Sequence, residues 1–440
     1  MLNGKVYDAN GYEFRMRGVD RCHFDSNSAA GITRSGANAV RFFMYDIGVS
    51  GGPATSSFYD VALNQHIANK QMPIITAANV AGTHTGSSCD TSSADLATIV
   101  SWWVSNESVF APIMDKISIN IANEWGPSNS ATWETAYESA ITDLRNAGYT
   151  CPLVIDTGGS GQDDQDLLNY AQDVFNSDPQ KNIIFSIHLY GGANDYSTGI
   201  QSVHQGTNTV VTLASNSATH PFAPNFDGTN NSYSGISAYS FSGVQGMTQL
   251  NGEQPAPQNV GGSQGAWTIT LSVDSTSWPA YTGGGTVVDY NGNYQLRLAR
   301  LAALGQSTGA AIIVGEFGPG RNIGPSPTLV TPDEIISASE ANQLGWLAWA
   351  WDDNNLGGGQ TNNAWFGMTY NGPGVYAVDS DLTMFGQQIV EGCINPAPGG
   401  CGCPDSPVPD DSVVAPGCQG TPAPEYSNYS LKLAQPATVY

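Results

Sequence analysis

Glu124 and Glu316 lie far apart in the chain but occupy the same kind of place. Glu124 closes Ile117-Ser118-Ile119-Asn120-Ile121-Ala122-Asn123, and Glu316 closes Ala311-Ile312-Ile313-Val314-Gly315. Both runs are short and apolar without strict alternation, as expected of strands buried on both faces of a parallel sheet. Each carboxylate therefore stands where a buried strand reaches the surface. Two carboxyl groups about 5–5.5 Å apart suffice to cleave a glycosidic bond with retention. One attacks the sugar carbon; the other protonates the leaving oxygen and then activates water. The protonated partner needs a raised pKa, from a neighbouring charge and an apolar wall. Trp125 follows Glu124, so Glu124 is read as acid/base and Glu316 as nucleophile. Asn123 is placed to hold the sugar 2-hydroxyl.

Other residues gather at strand ends. Arg41 lies in Ala39-Val40-Arg41-Phe42-Phe43. A cation in a barrel strand is costly unless paired, and pairing with Glu316 would keep that nucleophile ionised. His188 and Tyr190 end Phe185-Ser186-Ile187-His188-Leu189-Tyr190, and alternation puts them on one face. The Tyr190 hydroxyl is expected to bond the nucleophile, and His188 to bond sugar or carboxylate. In Trp346-Leu347-Ala348-Trp349-Ala350-Trp351, Trp351 is expected to be the aromatic platform for a sugar ring. Trp346 and Trp349 are expected to fill the core. No cofactor or metal is called for. Asp352-Asp353-Asn354-Asn355 lacks EF-hand spacing and reads as solvated. Cys401-Gly402-Cys403 lacks the paired spacing of a zinc site.

These residues need a frame. Apolar runs at 16–20, 39–44, 72–78, 117–122, 153–156, 183–188, 311–315 and 345–350 alternate with helical patterns near 26–35, 58–70, 94–105, 132–147, 165–176, 294–305, 331–343 and 381–391. Eight such units close most simply into a (β/α)8 TIM barrel, an α/β fold whose chemistry sits at the C-terminal strand ends. The rival doubly wound sheet lacks a Gly-rich phosphate loop after its first strand. A hairpin around Asn10-Gly11 precedes the barrel. The expected layout is a catalytic barrel over 1–394, a Ser/Thr/Asn/Gly-rich insertion over 192–293 after strand 6, and a Pro/Gly/Cys-rich tail over 395–440. The insertion is a candidate lid or subsite wall, with peripheral decoration as its rival.

Composition narrows the partners. The formal net charge of -24 repels nucleic acid and anionic membranes and suits a neutral polysaccharide or oligosaccharide. No apolar stretch is long enough to span a bilayer. Four of the seven cysteines, Cys393, Cys401, Cys403 and Cys418, crowd the end of the chain. That favours disulfides there and a secreted protein; no export signal is visible, and one is expected to have been removed. The expected state is a monomer.

Together, Arg41, Asn123-Glu124-Trp125, His188-Leu189-Tyr190, Gly315-Glu316-Phe317-Gly318 and Trp351 resemble glycoside hydrolase family 5. Within it, the chain looks most like bacterial endo-β-1,4-mannanases. The likeness includes Arg17-Gly18-Val19 and Gly36-Ala37-Asn38-Ala39-Val40-Arg41 and covers roughly 4–190 and 294–391. It implies a retaining (β/α)8 hydrolase with a Glu acid/base and a Glu nucleophile. Cellulase, β-glucanase or exo-acting enzymes of the same family are the alternatives; a non-catalytic carbohydrate-binding relative is the remaining one. One departure stands out. Family members carry a His at the end of strand 3, where this chain reads Thr76-Ala77-Ala78-Asn79. His84 from the following loop and His23 from the end of strand 1 are candidates to take its place.

Overall fold

The computed structural model describes residues 1, 3–8, 10–21, 26–45, 47, 55–78, 93–127, 129–190, 197–216, 239–254, 259–263, 265–289, 294–318, 332–352, 367–370 and 374–394. His23, His84 and the 395–440 tail lie outside them.

Eight parallel strands close a barrel: β1 (Arg17–Arg21), β2 (Ala39–Met44), β3 (Met72–Ala77), β4 (Ser118–Asn120), β5 (Leu153–Asp156), β6 (Ile183–Leu189), β14 (Ala311–Phe317) and β15 (Gly345–Ala348). The order around the ring follows the chain, and β15 pairs with β1. The strands are buried along their whole length. Burial on both faces is why none of them alternates in sequence. Helices cover the outside. Helix 131–147 begins with a Ser130 cap accepting from the Thr132 NH and stops at Gly148, whose φ of 110° is left-handed. The stretch read as a helix over 58–70 is instead an α turn (Thr55–Asp60), a π turn (Val61–His66) and a 3-10 turn (Ile67–Asn69).

The barrel interior changes character along its axis. Its lower end is apolar, with Ala39, Ile74, Val154, Ile184, Ile313 and Leu347 in one cluster. Further toward the C-terminal strand ends come Asp20, Arg41, Asn120, Asp156, Ser186 and His188, each almost wholly buried. The apolar layers hold the strands together; the polar layer forms the floor of the site.

Tyr190–Arg297 forms most of a second compact unit. Its strands are β7 (Ser197–His204), β8 (Thr209–Leu213), β9 (Tyr239–Ser242), β10 (Gly252–Gln254), β11 (Asn259–Gly261), β12 (Thr268–Leu271) and β13 (Thr286–Asp289). They form an antiparallel sheet in the order β10-β9-β13-β7-β8-β12-β11. Here burial does alternate, as in β8 and β12. The inward set, including Val211, Leu213, Phe241, Ile269, Leu271 and Val287, builds a core separate from that of the barrel. The insertion thus folds around its own apolar residues.

Cys151 and Cys393 are free, buried thiols. Of the four cysteines near the end of the chain, Cys393 is thus a free thiol, and Cys401, Cys403 and Cys418 lie outside the described residues. The helix of Cys393, Met384–Ile394, packs it inside, where burial pushes its thiol up to about 12.

Candidate active site

Each carboxylate is aimed by local backbone geometry. After β4 the chain turns sharply, and Glu124 adopts φ 50°, a left-handed conformation strained for a residue with a Cβ. Its NH is held at 2.9 Å by Asp156 Oδ2 at the end of β5. In β14 the register against β6 shifts between Val314 and Glu316. That bulge swings the Glu316 side chain inward. Gly315 permits it, because a methyl group there would collide with the Ser186 hydroxyl.

The two carboxylates converge on His188. One carboxylate oxygen from each of Glu124 and Glu316, together with a His188 ring nitrogen, lie within 4.8 Å of one another. His188 Nδ1 is 2.8 Å from Glu124 Oε1 and 3.6 Å from Glu316 Oε2. Its Nε2 faces Asp156 Oδ1 at 3.5 Å. Burial opposes a charge on this imidazole, but Glu316 and Asp156 outweigh it and push its pKa well above the usual histidine range. In its protonated form the imidazole donates from Nδ1 to Glu124 Oε1.

Arg41 lies beneath the pair. Its Nη1 donates to Glu316 Oε2 at 2.6 Å. Its Nη2 donates to Asn120 Oδ1 at 3.0 Å, Asn123 Oδ1 at 2.7 Å and Asp156 Oδ2 at 3.2 Å. The guanidinium sits 4.5 Å from the Phe43 ring centroid. Burial would weaken its charge; Asp156, Asp20 and Glu316 reverse that and raise its pKa. Asp156 shows the converse: burial opposes its charge, yet His188 and Arg41 bring it down to about 2. The Asn123 amide oxygen is engaged by Arg41, which fixes the orientation of its side chain. Asn123 and Glu124 are part-exposed, and Glu316 is 7% exposed.

The aromatic residues are arranged differently from the sequence expectation. Trp351 is fully buried, its Nε1 donating to the Gly374 carbonyl at 2.9 Å, so it offers no open face to a sugar. Trp349 instead keeps part of its surface exposed and meets Phe43 edge-on at 4.9 Å. Trp125 is 1% exposed and packs against Tyr137 in the helix layer. It stiffens the turn that carries Glu124 and, at that burial, offers no open face to a sugar. Asp352 is buried beside Ser28 and Arg21, not solvated. Tyr190 is half-buried at the start of the second unit. Sequence reasoning passed over Asp156, Asn120 and Asp20. The signal was present for Asp156, which ends the apolar strand Leu153–Asp156; Asp20 lies one residue inside the end of β1, a strand with an arginine at each end.

Comparison with known proteins agrees with this architecture. Residues 7–232 match the cellulase family, glycosyl hydrolase family 5. The chain is 35% identical over 208 residues to a mannan endo-1,4-beta-mannosidase of Salipaludibacillus agaradhaerens, covering 45% of this chain and 65% of that protein. It is also 35% identical over 199 residues to a mannan endo-1,4-beta-mannosidase of Cellvibrio japonicus, covering 43% of this chain and 45% of that one. Both matches span less than two thirds of the relative's own length. A beta-mannanase structure from Streptomyces thermolilacinus superposes with a TM-score of 0.55 at 20% identity, over 89% of this chain and 94% of that one, and shares the barrel fold. The chain belongs to glycosyl hydrolase family 5.

Proposed function

We propose that the protein is a retaining glycoside hydrolase that cuts β-1,4-mannan internally by double displacement. The observation that carries this reading is the convergence of the Glu124 and Glu316 carboxylate oxygens, within 4.8 Å of each other and of His188. That gap suits direct attack and is too narrow for the water an inverting enzyme places between its carboxyls. Glu316, bonded to Arg41, attacks the anomeric carbon. Glu124 gives its proton to the leaving oxygen, then takes one from the incoming water. Asn123 holds the 2-hydroxyl, and Trp349 offers the ring face on which a sugar packs.

Mannan is favoured because both relatives above carry that activity in their names. A polymer of neutral sugars also suits a chain of net charge -24 and, being too large to cross a membrane, places the work outside the cell. No helix among the described residues is long and apolar enough to span a membrane. The inserted unit is proposed to tune which glycans are accepted.

Glu124→Gln and Glu316→Gln are each expected to lower kcat on mannan by about 10⁴-fold or more with the fold retained. Full activity in either variant rejects the assignment. A panel of mannan, glucomannan, cellulose and xylan tests the substrate. Product sizes separate internal from terminal cleavage, and NMR of the first-formed anomer tests retention. Faster cleavage of cellulose than of mannan would replace the mannanase reading with a glucanase one.

A further inference from the structure

Three carboxyl groups crowd one buried guanidinium, and they are not treated alike. Glu316 takes a 2.6 Å bond from Arg41 Nη1. Asp156 takes bonds from Arg41 Nη2 and from the Glu124 NH. Asp20, paired in register with Arg41 on the adjacent strand, is fully buried. Its Oδ1 lies 3.5 Å from the Nη1 already bonded to Glu316. Among the described residues, neither of its carboxyl oxygens has a hydrogen-bond partner. An ionised carboxylate buried in that state would be a costly arrangement.

We propose that Asp20 carries a proton throughout the catalytic cycle, as a positioning residue that keeps the buried cluster neutral and leaves Arg41 to Glu316. The proposal rests on the double-displacement reading. The charged groups that act on Asp20 are Arg41 from β2, Glu316 from β14 and His188 from β6; Asp156 from β5 and Glu124 beyond β4 join the cluster through Arg41 and His188. Before attack, Arg41 and His188 are positive, Asp156 and Glu316 are negative, and Glu124 and Asp20 are neutral, so the sum is zero. Attack forms a bond from Glu316 to the anomeric carbon. The glycosidic bond breaks, and the Glu124 proton passes to the leaving oxygen. Glu316 is now a neutral ester and Glu124 is an anion, so the sum is again zero. Water then gives a proton to Glu124 while its oxygen bonds the anomeric carbon. The ester breaks, and the starting charges return. An ionised Asp20 would leave both states one charge negative and would compete for Nη1. Burial pushes the Asp20 carboxyl well above the usual range; Arg41 opposes this, Glu316 adds to it and His188 opposes it.

The test compares the wild-type protein with Asp20→Asn, which mimics the protonated side chain. The wild-type minus variant infrared difference spectrum near neutral pH should show a protonated carboxylic acid band from Asp20, the Glu124 band being common to both proteins and cancelling. The acid limb of kcat/KM against pH should superimpose for the two proteins, because no charge beside Glu316 has been removed. An acid limb displaced downward by about a pH unit would show that Asp20 is normally ionised, since removing a neighbouring anion eases ionisation of a carboxyl. That shift, or a difference spectrum without that band, overturns the proposal. If the wild-type protein cleaves no glycan, the double-displacement reading fails instead, and the infrared band still decides the state of Asp20.

Discussion

Arg17 and Arg41 are both buried, and the structure uses them in opposite ways. Arg17, on β1, meets helix 332–341, where its Nε and Nη2 clasp Glu340 at 2.6 and 2.9 Å. Arg15 at 3.0 Å and the Trp346 indole at 3.0 Å complete the carboxylate's shell. One carboxylate thus receives four donor bonds, and nothing there is left to react. Arg41, on β2, points into the barrel and serves two carboxylates and two amides with the Asp20 carboxyl close by, while its own Nε has no acceptor among the described residues. A satisfied pair locks the barrel wall to a helix. An over-subscribed cation leaves charge that can respond when substrate arrives. Burial of an ion pair therefore says little about its role; the ratio of donors to acceptors says more.

Arg41→Lys should have the largest effect of the substitutions that probe this contrast. A single ammonium cannot reproduce the guanidinium fork, and kcat/KM should fall on the order of a hundredfold or more, as for loss of one preorganised donor at a reacting centre. A drop of less than about fivefold would place Arg41 with Arg17 as a structural residue.

Glu340→Gln should act on stability instead. Removing one partner of a buried pair costs about 3–5 kcal/mol, read as a lower urea midpoint, while kcat/KM stays near the wild-type value. A hundredfold loss of kcat/KM in this variant would erase the distinction between the two arginines.

A smaller effect comes from acid. Burial alone would raise the Glu340 pKa, but Arg17, Trp346 and Arg15 bring it below its usual value. Asp178 is lowered likewise by Arg145, against its own burial. A carboxylate with a depressed folded pKa adds stability above its unfolded pKa, near 4, and loses it as pH falls through the folded value. Urea midpoints should therefore decline below about pH 4, and the decline should be shallower in Glu340→Gln. Equal slopes would show that this pair does not contribute to acid sensitivity.

Much of the scaffold was legible because barrel strands announce themselves. Ala39–Met44 and Leu153–Asp156 fall where their apolar runs predict them, and the helix expected near 132–147 runs from Ala131 to Ala147. A strand buried on both faces must be apolar throughout, and that requirement is local. The insertion was harder to read. Its strands are three to eight residues long and half polar, and their order joins segments such as β7 and β13 that lie some 80 residues apart.

Chain order alone decided that Glu124 and Glu316 end buried strands and that Arg41 lies within one, since hydrophobic patterning sets which residues reach a strand end. Only barrel closure decided which of those groups share charge. Asp20 and Asp156 look like any carboxylate near a strand end until eight strands turn them toward one guanidinium. Closure also separated Trp349 from Trp351. Strand alternation cannot be carried past Ala348, where β15 stops, so the facing of the two rings depends on packing among residues distant in the chain.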